Sequence, residues 1–218
     1  IILGGVPISV ETPPSVALYA IANIRGFPNL ESLFFNFISL TTAKATGSII
    51  IVAAVFEIIS ENNAEQSTGM ASITKIMTAY VVADQIQKGY LSGSSLVKIS
   101  EKCWRMEGSR MFIKEGTEVS VSDLMLGIIV QSGNDASCAL AEHIAGSEYD
   151  FAELMNDYAR QMNLEETNFM NPTGLPDVNH YSTAEDIAKL SIKLIQDFPE
   201  TYKIFSQKEF TYNEIRQL

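Results

Sequence analysis

The sequence predicts an α/β protein of the α+β type, a cluster of helices packed on a sheet. Three observations predict it. Ser-x-x-acid spacings at Ser120/Asp123, Ser147/Asp150 and Ser182/Glu185 each precede an apolar-periodic run, the mark of a capped helix start. Residues 72–88 are apolar nearly all round a helical wheel, as in a helix buried on several sides. Short runs at 51–59, 96–99 and 209–212 have the length and patterning of strands.

In chain order, the helix over 72–88 has Ile73, Ile76, Met77, Tyr80, Val81, Ala83 and Ile86 at core-facing positions. The side holding Ser72 and Lys75 also carries Ala79, Val82 and Ile86. Only a strip around Thr74, Thr78 and Gln85 is expected to face water. Helices follow over 121–130 (Val121, Leu124, Met125, Ile128, Ile129) and over Asp135–Ala145, the latter ended by Gly146. Ser132-Gly133-Asn134 makes the corner between them, with Gly133 supplying backbone freedom. Ser147 introduces Phe151, Leu154, Met155, Tyr158 and Met162. Ser182 introduces Ile187, Leu190, Leu194 and Ile195, ending before Pro199. Asn171-Pro172-Thr173-Gly174 reads as a turn or loop.

The 218 residues suffice for one domain or two lobes sharing a cleft, and 46% hydrophobic with 19% charged residues describes a folded chain. A net charge of −11 argues against nucleic acid and against a polybasic membrane contact. The apolar segment Ser48–Ile59 is too short to span a bilayer, and no intact signal peptide is visible. Cys103 and Cys138 leave the compartment open: they could pair, or both could be small buried residues. His143 and His180 lack partners at ligand spacing, so no metal and no cofactor is expected.

The chemistry concentrates in two motifs sixty residues apart, Ser72-Ile73-Thr74-Lys75 and Ser132-Gly133-Asn134. Lysine entering an apolar interior loses proton affinity and becomes a base near neutrality. Serine three residues earlier lies on the same helix face, within reach of that amine, and at a helix start whose free N–H groups favour a developing oxyanion. A hydroxyl beside such a base is an activated nucleophile. The second S-x-x-K, Ser95 to Lys98, sits in a Gly/Ser-rich turn leading into a strand, and the second S-x-N, Ser60 to Asn62, has no such context. Both are read as accidental.

In this order and context the motifs resemble those of the serine penicillin-recognising enzymes. Met70–Thr78 and Gln131-Ser132-Gly133-Asn134-Asp135-Ala136 are most similar to the low-molecular-mass D-alanyl-D-alanine carboxypeptidases. Thr167–Leu175 and His180-Tyr181-Ser182-Thr183-Ala184 resemble that family too. The resemblance implies a β-lactamase/transpeptidase-like fold with an antiparallel sheet. It implies a serine carboxypeptidase acting on peptidoglycan pentapeptides ending in D-Ala-D-Ala, at the periplasmic or outer face of the bacterial cytoplasmic membrane. Ser72 would attack and form an acyl-enzyme, Lys75 would take its proton, Ser132 would relay a proton to the leaving amine, and Asn134 would hold Lys75 and the substrate amide. β-Lactam antibiotics would acylate Ser72. Ser72 and Ser132 are expected within one hydrogen bond of the Lys75 amine.

Two departures from the family qualify the expectation. No Lys-Thr-Gly or Lys-Ser-Gly occurs in the chain, so the strand that would bind the substrate carboxylate is expected beyond Leu218, with residues 1–218 alone inactive and poorly stable. Any membrane attachment would come from an anchor beyond this chain. Residues 1–50 match poorly and are left unassigned, Val52–Glu57 lacks the Asp and Gly of the family's first hairpin turn, and residues 51–218 are read as a partial catalytic domain. The alternatives are a serine β-lactamase, for which Glu165 and Glu166 would have to activate water, and a non-catalytic penicillin-binding module. The two glutamates read better as solvated loop charges.

Overall fold

A computed structural model describes residues 58–217, with the strand backbones at 38–39 and 49–52, and side chains from residue 60 to 217. The rest of the 1–50 segment and the Val52–Glu57 turn lie outside the described residues, apart from Val52 itself. Strand β1 (Ile38–Ser39) pairs antiparallel with β2 (Ile49–Val52), and β2 with β3 (Ile58–Asn62). The expected single strand over 51–59 is therefore two strands. A short turn over Ala71–Thr74 leads into α1 (Lys75–Gln87). Strand β4 (Leu96–Lys98) is followed by α2 (Glu101–Trp104), and β5 (Glu118–Ser120) by α3 (Val121–Ile129). Then come α4 (Asn134–Ala145), α5 (Glu148–Gln161), α6 (Ala184–Asp197), α7 (Pro199–Ile204), β6 (Phe210–Tyr212) and β7 (Ile215–Gln217).

Among the described residues all strand pairs are antiparallel, in three small sheets. In the β4–β5 pair the buried Val97 and Val119 face one another across the ladder, with exposed Lys98 opposite Glu118, the alternation of a half-buried pair. β6 and β7 join through Asn213 and Glu214, both at positive φ, which is the twist a two-residue hairpin needs. Nothing in Asn213-Glu214 advertises that turn, and β7 went unpredicted for that reason.

Helix α1 lies between two cores. On one side Met77, Tyr80 and Val81 pack with Phe151, Met155, Tyr158, Phe169, Ile187, Leu190 and Leu194. On the other, Ala79 and Val82 meet Val97, Met111, Leu124, Ile128, Cys138 and Leu140. A helix covered on both sides must be apolar nearly all round, as this one is. Most of the polar strip expected to be wet is not: Gln85 is half-buried, but Thr74 and Thr78 are fully buried, because their hydroxyls find partners in a loop about a hundred residues away. Buried hydroxyls with hydrogen-bond partners lose little, and helical periodicity cannot foresee such partners.

The capping signals place the helix starts well. Ser120 and Ser147 accept the N–H of Asp123 and Asp150, and Gly146 ends α4 in the left-handed region. At α6 the cap is Thr183, which accepts from Asp186, one residue later than expected. Ser182 is occupied instead in a β-bridge with Thr68. Pro199, read as a stop, is the first residue of α7, where its missing N–H costs nothing. Cys103 and Cys138 form a disulfide that joins α2 to α4. Among the described residues no helix is long and apolar enough to cross a membrane.

Candidate active site

Ser72 occupies the turn before α1 and Lys75 is the first residue of the helix. Ser72 is exposed, whereas Lys75 is only 4% exposed. The one-turn separation brings the Ser72 hydroxyl and Lys75 amine to 3.4 Å, a loose contact of the kind that tightens in a substrate complex. Burial pulls the ammonium pKa from 10.5 to about 8, because the charged form loses its hydration. The result is an open nucleophile beside a sheltered base.

The amine's second partner was not foreseen. Lys75 Nζ donates to the Thr173 carbonyl at 2.6 Å, in the loop between α5 and α6. That loop is built tightly against the turn carrying Ser72. Asn156 bonds both backbone groups of Phe169, Thr78 donates to the Pro172 carbonyl, and the Asn171 carboxamide oxygen accepts from Thr173, Gly174 and Leu175 N–H. Gly174, at φ +83, lies so close that a Cβ would stand 1.8 Å from the Ala71 carbonyl oxygen. The sequence marked this stretch only as a turn and as a point of family resemblance. Its contact with Lys75 carried no local signal.

The Ser132-Gly133-Asn134 corner is arranged differently from the expectation. Gly133 has an ordinary extended conformation, φ −66, while Ser132 itself takes φ 57. Glycine is required here for room: a Cβ would meet Asp135 Oδ1 at 2.9 Å and the Gly127 carbonyl oxygen at 3.2 Å. The Ser132 hydroxyl is buried without a hydrogen-bond partner among the described residues. It makes no hydrogen bond to Lys75, whose amine is engaged by Thr173 O and Ser72. Asn134, on the first turn of α4, donates through Nδ2 to the Glu107 carbonyl at 2.7 Å, and the Lys75 amine bonds Thr173 and Ser72 rather than Asn134. The buried Asp135 carboxylate accepts the N–H groups of Met111, Phe112 and Ile113 and so fastens the 107–113 loop to this corner.

The residues read as accidental lie in ordinary settings. Ser95 belongs to a serine turn with Ser92 and Lys98 is exposed. Glu165 and Glu166 are exposed loop residues. Cys103, Cys138 and Glu142 cluster closely, but the two sulfurs are bonded to each other and offer no thiolate.

Fold and site thus define a protein with a serine–lysine pair at the start of a buried helix and a second serine in the corner that opens α4. The sequence matches the D-alanyl-D-alanine carboxypeptidase family, Peptidase S11, over residues 37–218, and the chain belongs to that family. It is 46% identical over 163 residues to D-alanyl-D-alanine carboxypeptidase DacA of Haemophilus influenzae, covering 73% of this chain and 42% of that protein. Penicillin binding protein 5 from the same organism superposes with a TM-score of 0.72 at 45% identity, over 74% of this chain and 48% of that one. Penicillin-Binding Protein D2 from Listeria monocytogenes, solved in an ampicillin-bound form, gives a TM-score of 0.66 at 27% identity, over 75% of this chain and 66% of that one. The chain spans about half the length of the curated relatives it matches.

Proposed function

We propose that the protein is a serine D-alanyl-D-alanine carboxypeptidase that removes the terminal D-alanine from peptidoglycan peptides and is acylated by β-lactams. The observation that carries the reading is the exposed Ser72 hydroxyl 3.4 Å from a buried lysine amine whose pKa lies at about 8. Ser72 Oγ attacks the carbonyl carbon of the penultimate D-alanine while neutral Lys75 takes its proton. The tetrahedral intermediate collapses with cleavage of the C–N bond. The proton taken up by Lys75 reaches the departing D-alanine amine through Ser132, whose buried hydroxyl has no competing hydrogen bond. Ser132 donates its own proton to the amine while the Lys75 ammonium restores it, leaving Lys75 neutral; Asn134 borders the substrate amide. Water then attacks the ester and releases the shortened peptide. The family membership and the ampicillin-bound relative support the substrate class. The disulfide and the substrate both fit a site outside the cytoplasm.

The test is to incubate the full-length gene product with penicillin and map the adduct, then assay D-alanine release from a D-Ala-D-Ala peptide. The expected adduct is on Ser72, with peptide turnover and slow, near-stoichiometric reaction with a chromogenic cephalosporin. An adduct on another serine overturns the mechanism. Fast multiple turnover of the cephalosporin would make the protein a β-lactamase instead, a reading that the exposed Glu165 and Glu166 disfavour.

A further inference from the structure

The position of the Lys75 amine depends on two walls from distant parts of the chain. One is the turn over Ala71–Thr74, which supplies Ser72, and the other is the loop that supplies the Thr173 carbonyl. We propose that His180 is a positioning residue for Lys75, its ring bonded on one side to the Ser72-bearing turn and on the other to the Thr173-bearing loop. The proposal rests on the carboxypeptidase reading of Ser72 and Lys75.

The geometry is specific. His180 Nε2 lies 2.6 Å from Thr74 Oγ1, on the residue between Ile73 and Lys75, and both side chains are buried. The Met170 N–H donates to His180 Nδ1 at 3.0 Å. Because Nδ1 accepts, Nε2 carries the proton and donates to Thr74, which fixes one neutral tautomer. The ring stands edge-on to Phe169 at 5.9 Å and 76°, and Phe169 is itself held through both backbone groups by Asn156. Burial pushes the imidazole pKa down against the opposing pull of Asp177. A second ring proton would also face the Met170 N–H, so the neutral latch is the stable one.

No other described side chain reaches both Thr74 and the head of that loop. Thr78 fastens Pro172 lower on α1, and Gly174 supplies close packing rather than a bond. Without the imidazole the turn and the loop can separate, water reaches the Lys75 amine, and the desolvation that lowers its pKa relaxes.

The experiment compares wild type, His180→Ala, Thr74→Val and the double variant in the full-length gene product, measuring penicillin acylation of Ser72 between pH 7 and 10.5. His180→Ala should slow acylation about 100-fold, the scale of loss expected from a small misplacement of reacting groups. Non-covalent affinity should change little, and the midpoint of the pH–rate profile should move upward from about 8 towards 10.5. Among the described residues the Lys75 shift has burial as its cause, with no charge contributing. Thr74→Val should move rate and midpoint in the same direction, and the double variant should be no slower than His180→Ala. Labelled wild type with unchanged rate and midpoint in His180→Ala, even with lowered melting temperature, makes the histidine merely structural and overturns the latch. If His180→Ala does not fold, the near-isosteric Thr74→Val decides by the same two readouts. Wild type unlabelled at Ser72 overturns the carboxypeptidase reading, and the latch with it.

Discussion

Ser72 and Lys75 owe their pairing to helical geometry but their different roles to exposure. Ser72 caps nothing, since the turn begins at Met70 without a side-chain bond. Ser72→Ala should therefore abolish penicillin labelling while changing stability by less than about 0.5 kcal/mol, as for an exposed side chain whose hydrogen bond is the loose 3.4 Å contact with Lys75. Labelling gels and thermal melts of the variant check both halves. Lys75 makes a linked prediction about pH. Its native pKa is depressed to about 8, whereas the unfolded chain keeps the proton to 10.5. Between those values the unfolded state binds more protons, so stability rises with pH. Relative to Lys75→Met, wild type should gain up to roughly 3 kcal/mol across that window, read from urea midpoints at several pH values. A flat difference would show that the amine is solvated.

At the scale of elements, the decisive piece is the loop between α5 and α6, which the sequence shows as a mere connection. Its fit to the Ala71–Thr74 turn depends on Gly174, where both the positive φ and the contact with the Ala71 carbonyl exclude a side chain. Gly174→Ala should cost about 1–3 kcal/mol through forced backbone movement and should slow acylation, because Thr173 moves with it. Stopped-flow acylation beside a denaturation curve tests the pairing of the two effects; lost stability with normal acylation would uncouple loop from amine. The helix starts at Ser120 and Ser147 and the helix end at Gly146, by contrast, were legible, because caps involve residues three or four apart. Thr183 displaced Ser182 as cap once the β-bridge to Thr68 had claimed Ser182.

For the whole molecule, the disulfide is the covalent cross-link among the described residues. It closes 35 residues of chain between α2 and α4, and so ties the 107–113 loop region to the helix that begins at Asn134. Loop-closure entropy alone assigns it roughly 3–4 kcal/mol. Replacing both Cys103 and Cys138 by serine should lower the urea midpoint accordingly, and reductant should act on wild type but not on the double variant. An unchanged midpoint would mean that the pair is not bonded in solution. Two cysteines in a sequence state only that a bond is available; the fold brought their Cα atoms to 5.3 Å.

The division between sequence and structure follows the range of the interactions. Apolar periodicity determined that α1 is buried, and one helical turn determined that Ser72 and Lys75 share a face. Those relations lie within four residues and are written in order along the chain. Only the tertiary structure decided that Thr173 holds the amine, that Thr74 and Thr78 are buried, and that His180 joins turn to loop. It also decided that Ser132, rather than Gly133, takes the left-handed conformation and that Asn134 turns to Glu107. The Lys75, Thr74 and Thr78 contacts span about a hundred residues, and their geometry is set by how two cores close around α1, which no local pattern encodes.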